Sequence, residues 1–270
     1  MTLNPPAYNQ PCRLCGSHSL ELFYKQGNAD EYRFYRCRDC QLVNYDLATG
    51  LNQEKYAEEF YDPRDESLRI NQLKHGIFQA LRKHAQPPAS ILEIGCGSGR
   101  LLYLAQRSGF QVAGLELSPF LAESVRTKLG IPVESANFLT YRPQSGTRYD
   151  VVILQHVLEH LPDCIAAMER IRELLLPNGI GLMEFPNIDG WDLAFKRTLR
   201  RTSLRRRKYP ENYKPGHVNE FCRQSFERLA QKTGFRLDSW RAYSNKPLGD
   251  FLYRWLPIGN KVRVVVRKTA

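Results

Sequence analysis

A doubly wound α/β sheet carrying a small cysteine-rich ribbon is the fold class this sequence predicts, and three observations carry it. Residues 91–94 are an apolar run of strand length, 95–99 are dense in glycine, and 100–107 place Leu101, Leu104 and Ala105 on one helical face. Further apolar runs at 112–117, 151–154 and 180–185 alternate with helical stretches, the pattern of strands joined by crossover helices. Ahead of these, residues 12–40 hold two Cys-x-x-Cys pairs.

Composition sets the bounds. A chain of 270 residues can bury one ample α/β core plus a small appendage. Its 42% apolar and 25% charged residues are those of an ordinary globular protein. No apolar run is long enough to span a bilayer, and residues 1–6 lack a basic-then-apolar signal pattern, so the expected place is the cytoplasm. A formal charge of +11 points to an anionic partner: nucleic acid, a phosphate-bearing small molecule or a membrane surface.

In chain order the ribbon comes first. Cys12-Arg13-Leu14-Cys15 and Cys37-Arg38-Asp39-Cys40 are separated by 21 residues. Each pair can wrap one ion from a tight knuckle, and together they offer the four thiolates that zinc favours. Such a closed set is structural, and the remaining three of the seven cysteines are scattered, which is metal-site usage and not a disulfide framework. Tyr32, Phe34 and the residues up to Cys37 read as a ribbon strand. Residues 51–62 are acidic and aromatic with a helical tendency. Residues 68–85 carry a helical apolar stripe that must end before Pro87-Pro88.

The glycine turn is the most informative stretch. Gly95, Gly97 and Gly99 let the backbone approach a ligand where a Cβ would clash, and the following helix aims its unpaired N–H groups at that ligand. The dinucleotide pattern G-x-G-x-x-G does not fit, because residue 100 is Arg. Glu93 precedes the turn. Glu116 closes the next strand about 20 residues beyond it, where a strand-end carboxylate can receive two ribose hydroxyls.

Glu93-Ile94-Gly95-Cys96-Gly97-Ser98-Gly99 followed by a strand ending in Glu116 resembles motifs I and II of the class I S-adenosylmethionine (SAM) methyltransferases. The resemblance implies a Rossmann-like doubly wound sheet and SAM as cofactor. Glycines 95, 97 and 99 with Glu93 would cradle the methionine portion, Glu116 would hold the ribose, and Leu117 and Gln155 would line the same site. The ribbon, the Tyr-rich linker and the helix ahead of the turn are similar to a bacterial subgroup with an N-terminal zinc-binding segment. The divisions expected are 1–50 for the ribbon, 51–88 for linker and helix, and 89–270 for the methyltransferase domain.

Beyond Glu116, Ser118 can cap a helix that Pro119 opens and that runs to about residue 129. A short strand at 131–135 leads to Asn137-Phe138. Related enzymes often carry an acid at this point to accept from adenine. Asn137 departs from that but keeps an acceptor oxygen, and an ordinary turn asparagine is the other reading.

The second informative stretch is 149–163. The strand 151–154 delivers Gln155 and His156 to its C-terminal end, the edge where open α/β sheets bind ligands. Glu159 and His160 follow three and four residues later, close enough to share the face of His156. An imidazole here can accept the proton of a hydroxyl as it takes a methyl group, while capping and packing of the turn is the competing role. In some related O-methyltransferases an acid and a histidine of this segment bind a divalent metal.

Residues 168–176 read as an amphipathic helix ending in a turn at Pro177-Asn178-Gly179, and 180–185 as the next strand. The basic insertion 189–216 then holds nine Lys or Arg against two acids between Trp191 and Pro215. It reads as an anion-binding arm on the acceptor side, with a solvated charged face as the alternative. His217-Val218-Asn219-Glu220-Phe221 resembles a family segment in which the histidine enters the site from the lid side, a structural histidine being the alternative. Residues 236–243 and 261–268 read as a final antiparallel pair, with an apolar helical patch between them that would suit a membrane surface or the core.

The function expected is SAM-dependent O-methylation of a small anionic acceptor such as a sugar nucleotide, a glycan or a lipid-linked intermediate, with peripheral membrane contact at the inner membrane open. An RNA methyltransferase gripping phosphates through ribbon and arm is one alternative, although the Asn/Asp-Pro-Pro-Tyr type signature of base N-methylation is lacking. A non-catalytic interaction protein on the same fold is the other.

Overall fold

The cysteine-rich segment forms an antiparallel ribbon in the computed structural model, which describes residues 10–51, 59–65, 76–143, 146–190, 208–244 and 259–269. Strands β1 (Leu20–Gln26), β2 (Tyr32–Cys37) and β3 (Val43–Tyr45) pair in sequence order. The Tyr24 and Phe34 rings stack 4.4 Å apart across the ribbon, and Phe34 and Tyr45 are fully buried. Helix α1 (Gly76–His84) follows and ends three residues before Pro87.

The main sheet starts at β4 (Ser90–Ile94). In chain order come α2 (Arg100–Arg107), β5 (Gln111–Glu116), α3 (Pro119–Leu129), β6 (Val133–Ser135), β7 (Tyr149–Gln155), a single 3-10 turn at Leu158–His160, α4 (Cys164–Leu174) and β8 (Leu175–Pro186). The short β9 (Asn219–Glu220), α5 (Arg223–Lys232), β10 (Phe235–Tyr243) and β11 (Lys261–Lys268) complete the described elements. The sheet order is β10-β11-β8-β7-β4-β5-β6, parallel from β8 to β6, with β11 inserted antiparallel between β8 and β10.

Both faces of the sheet are covered, so its strands are apolar on both sides. Ile77 and Phe78 of α1 and Leu101 of α2 pack on Ile91, Ile153 and Leu182. Met168 of α4 and Phe226 of α5 pack on Leu92, Val152 and Val264. The strand order reverses between β4 and β7, and the crevice above their C-terminal ends is where such sheets bind ligands.

Several expected boundaries move for physical reasons. The strand expected at 131–135 begins at Val133, because Pro132 has no N–H to give the ladder and contributes only its carbonyl, to Gly114 N at 2.9 Å. The helix expected to reach residue 176 stops at Leu174. Leu175 pairs with Tyr149 in a ladder that shifts register before Val151 and Ile180, so Pro177-Asn178-Gly179 sits inside an irregular strand, with Asn178 left-handed at φ 63°. Ser118 caps α3 as expected, accepting from Leu121 N at 3.3 Å. Most of the expected linker and helix at 51–75, residues 191–207 of the basic arm and the apolar patch at 245–258 lie outside the described residues.

Candidate functional site: a glycine cradle beside a histidine pair

The turn after β4 holds three left-handed glycines, Gly95, Gly97 and Gly99, with φ between 54° and 71°. An added Cβ would meet Val157 Cγ2 at 2.7 Å from Gly95 and Val125 Cγ1 at 3.0 Å from Gly99, but open space from Gly97. Gly97 is therefore the position at which backbone can face a ligand directly. Glu116, ending β5, accepts from Gly97 N at 2.8 Å and from Ser118 N at 2.9 Å, so its carboxylate is fixed at the rim of the turn.

Glu93 lies beneath this rim, 2% exposed. Its Oε1 accepts from Gln155 Nε2 at 2.6 Å, and its Oε2 has no hydrogen-bond partner among the described residues. Burial pushes the carboxyl up to about 8, with the Gln155 hydrogen bond opposing and the Glu116 charge adding to the rise. A buried carboxyl with an orphaned oxygen keeps its proton when alone and ionises readily once a cation is placed beside it. SAM carries two positive centres and a ribose diol, so an open glycine cradle, a fixed strand-end carboxylate and Glu93 fit it. Leu117 is exposed beside Glu116, and Phe138 is buried. Asn137 Oδ1 accepts from Leu139 N at 3.0 Å in a turn, so the oxygen that the resemblance offers to adenine already has a local donor.

One residue beyond Gln155, the chain turns sharply. His156 has φ 55°, an uncommon conformation for a side-chain-bearing residue, and its N–H donates to Glu184 O at 2.8 Å. Its Nδ1 donates to Glu159 Oε1 at 3.1 Å. Glu159 is 1% exposed, and its Oε2 finds no hydrogen-bond partner among the described residues. His160 donates from Nδ1 to Gly216 O at 2.9 Å, the tautomer that puts the lone pair on Nε2. Against it stands His217, ring centroids 4.9 Å apart in an edge-to-face arrangement at 73°.

The two imidazoles are pushed in opposite directions. Burial lowers the pKa of His160, only partly opposed by Glu159. Burial also acts to lower His217, but the Glu220 carboxylate beside it, with Glu159 further off, outweighs that and raises it. Two neighbouring groups pushed apart in this way can serve as a base and an acid. Glu159, His160 and His217 also bring one ligand atom each within 4.8 Å of one another, so the same three side chains could hold a cation. Glu220 escaped the sequence reading, although its i+3 spacing from His217 was a visible signal.

In the ribbon, Cys12, Cys15, Cys37 and Cys40 place their sulfurs within 4.8 Å of one another. The Cys12–Cys40 and Cys15–Cys37 pairs are 3.4 and 3.5 Å apart. A tetrahedral zinc with bonds of about 2.3 Å needs sulfurs roughly 3.8 Å apart, so the set fits that ion. The Cys40 thiol donating to it holds the Cys12 thiol below its ordinary range. The knuckle also brings Arg13 to the site. Its guanidinium donates to Asn219 Oδ1 and Tyr45 O, both at 3.0 Å, and to Val218 O. Nothing in the sequence marks a pairing that spans more than 200 positions.

Comparison with known proteins agrees with this geometry. A family described as Methyltransferase domain matches residues 66–239. The ubiquinone biosynthesis O-methyltransferase of Nitrosospira multiformis is 29% identical over 146 residues, 51% of this chain and 60% of that protein. Its counterpart from Xanthomonas campestris is 34% identical over 103 residues, 35% of this chain and 42% of that one. The chain thus spans 60% or less of the length of these curated relatives. Among solved structures, a SAM-dependent methyltransferase from Methanosarcina mazei superposes with a TM-score of 0.55 at 17% identity, over 70% of this chain and 97% of that one. The magnesium protoporphyrin IX methyltransferase of Synechocystis with bound SAH gives 0.51 at 15% identity, over 74% and 83% of the two chains. At such identities these structures speak for the fold, which is that of SAM-dependent methyltransferases. On the extent of the family match, the chain belongs to the methyltransferase-domain family.

Proposed function

We propose that this protein transfers the methyl group of SAM to a hydroxyl oxygen of a small anionic acceptor, with His160 as the base. The observation that carries the reading is the His160–His217 pair, set one turn beyond the strand that delivers Gln155 to the glycine cradle. An oxygen acceptor is supported by the O-methyltransferase names of the curated relatives. An anionic one is supported by the net charge of +11 and the basic run at 189–216. Sugar nucleotides, glycans and lipid-linked intermediates fit that chemistry. Contact with an anionic membrane would follow if the acceptor is lipid-borne; no described helix is long and apolar enough to cross a membrane.

SAM would supply an activated methyl on a sulfonium. The turn of Gly95, Gly97 and Gly99, open at Gly97, would hold its methionine portion, Glu93 would lie towards its positive charge, and Glu116 would take the ribose hydroxyls. Methyl transfer is an in-line displacement, so the protein contributes alignment, exclusion of water and removal of one proton. Neutral His160, its Nδ1–H held on Gly216 O, accepts the acceptor's hydroxyl proton at Nε2. Burial acts to lower the pKa of His217 but Glu220 beside it raises it, so this imidazole is the one of the pair that more readily carries a charge towards the acceptor's negative group. His156 and Glu159 orient the turn that carries His160. One zinc on Cys12, Cys15, Cys37 and Cys40 would organise the ribbon of residues 1–50 ahead of the linker 51–88 and the catalytic body 89–270.

The test is transfer of labelled methyl from SAM to a panel of sugar nucleotides, free nucleotides and phosphorylated glycans, with products analysed for the methylated atom. An O-methyl product from an anionic hydroxyl acceptor is expected. Incorporation only into RNA, falling by roughly 0.7 to 0.9 log units per log unit of salt for each phosphate contacted, would overturn the small-molecule reading.

A further inference from the structure

We infer that Arg13, lying between the first two zinc-site cysteines, is a positioning residue for the acceptor-side acid–base pair: it fixes the backbone that holds His217 against His160. The inference rests on the proposed role of that pair and adds a role for the four-cysteine centre, which becomes the anchor of half the active site.

His217 is held from both sides. On one side Gly216 O accepts from His160 Nδ1 at 2.9 Å. On the other, Val218 N donates to Glu159 O at 2.8 Å. Both bonds lead to the turn 156–160, so the spacing of the two imidazoles depends on how the segment 216–220, which ends in β9, sits against that turn. The ribbon sets its far side. Asn44 and Val43 of β3 pair with Asn219 and Glu220 of β9, and Tyr45 N donates to Val218 O at 3.0 Å.

Arg13 closes this arrangement. Three of its nitrogens reach Asn219 Oδ1, Val218 O and Tyr45 O, and its own N–H donates to the buried Asn44 Oδ1 at 3.0 Å. Asn219 in turn donates to Leu161 O at 2.7 Å, beside His160. The guanidinium thus joins the segment before α5 to the ribbon strand directly and to the histidine turn through Asn219, and its fixed fork spreads donors over three acceptors that a compact ammonium on one stem does not reach together. Its backbone position is set by Cys12 and Cys15 on either side.

The charge balance agrees. Four thiolates on a divalent ion leave a net double negative charge, and three cations crowd the knuckles: Arg13, Lys232 donating to Leu14 O at 3.3 Å, and Arg228 donating to Asp39 O at 3.2 Å. The last two belong to α5, which follows β9 directly. Ribbon and acceptor strand are therefore joined at both ends of the segment that carries His217.

The experiment compares zinc-loaded full-length protein with R13Q and R13K, reading zinc content, SAM affinity by calorimetry, the titration of the two imidazoles by NMR, and turnover. In R13Q zinc and SAM binding are expected to stay within twofold of the parent, while the separate titrations of His160 and His217 converge and turnover with acceptor falls at least tenfold. R13K is expected to lie between. The result that overturns the inference is an R13Q protein with titrations superposable on the parent's. Loss of SAM binding in parallel with turnover in both variants would overturn it as well, since Arg13 would then support the whole fold. Failure of the proposed reaction would show differently, as a parent protein with split titrations and no methyl transfer to any hydroxyl acceptor.

Discussion

The two halves of the proposed catalytic edge are built in different ways. The proposed cofactor half is local and largely backbone: Glu93, the glycine turn and Glu116 fall within a stretch of about two dozen residues, and neighbouring parallel strands bring them together. The proposed acceptor half is assembled from three distant parts of the chain: the cysteine knuckle at 12–15, the turn at 156–160 and the segment 216–220. Its geometry depends on side-chain hydrogen bonds and on a folded ribbon. A cofactor common to many enzymes can be held by a conformation that few residues specify. An acid–base pair for one acceptor needs side chains whose environments differ, which a single local motif cannot supply.

That difference can be broken deliberately. The largest effect belongs to the ribbon: Cys37→Ser should release the zinc and lower stability by several kcal/mol, because binding of a structural ion is folding free energy. Metal analysis and thermal unfolding read this directly, and one zinc retained per chain in the variant would contradict it. Next comes His160→Gln, which should reduce kcat by roughly 10²- to 10⁴-fold, the usual contribution of a general base, with the SAM dissociation constant unchanged. A change in SAM affinity of similar size would show that the halves are not separable.

The cofactor half makes its own predictions. Glu93 is a carboxyl raised from 4.5 to about 8 by burial, so the folded protein keeps a proton that the unfolded chain has lost. Stability from this residue is complete below pH 4.5 and falls as pH rises towards 8. Glu93→Gln should therefore gain on the parent across that window, by on the order of 4–5 kcal/mol at the alkaline end, in unfolding titrations without SAM. A gap independent of pH would show that the carboxyl is not buried as described. Glu116→Ala should weaken SAM binding more than tenfold, about 1.5–3 kcal/mol for a charged acceptor shared by two hydroxyls, leaving zinc in place. The smallest change in stability is expected at Gly97→Ala, about 1 kcal/mol for a left-handed alanine, since its Cβ enters open space. Its SAM affinity should fall by more than its stability, because that space is the ligand's.

The same contrast decides what the sequence could show. The parallel strands, the glycine turn and the thiolate set were legible because each rests on a period or spacing within one short segment. The end of α4 was not: Leu174, Leu175 and Leu176 continue a helical pattern, and only pairing with Tyr149 draws Leu175 into β8. Asn137 carried two readings, and its bond to Leu139 N shows the turn at work. His156, Glu159, His160 and His217 could be named as chemically apt residues. That His160 and His217 face each other, and that Glu220 raises one while burial lowers the other, are products of tertiary packing. Arg13 had no sequence signal, since a residue inside a metal knuckle reads as filler until its partners are known.

The central claim is that His160 is the neutral base and His217 the protonated partner. The most direct measurement is the NMR titration of both imidazoles in zinc-loaded protein saturated with S-adenosylhomocysteine, assigned with His160→Gln and His217→Gln. The account predicts a midpoint for His160 below 6.5 and for His217 above it, separated further than two exposed histidines would be. Midpoints that coincide, or that fall in the reverse order, would contradict it.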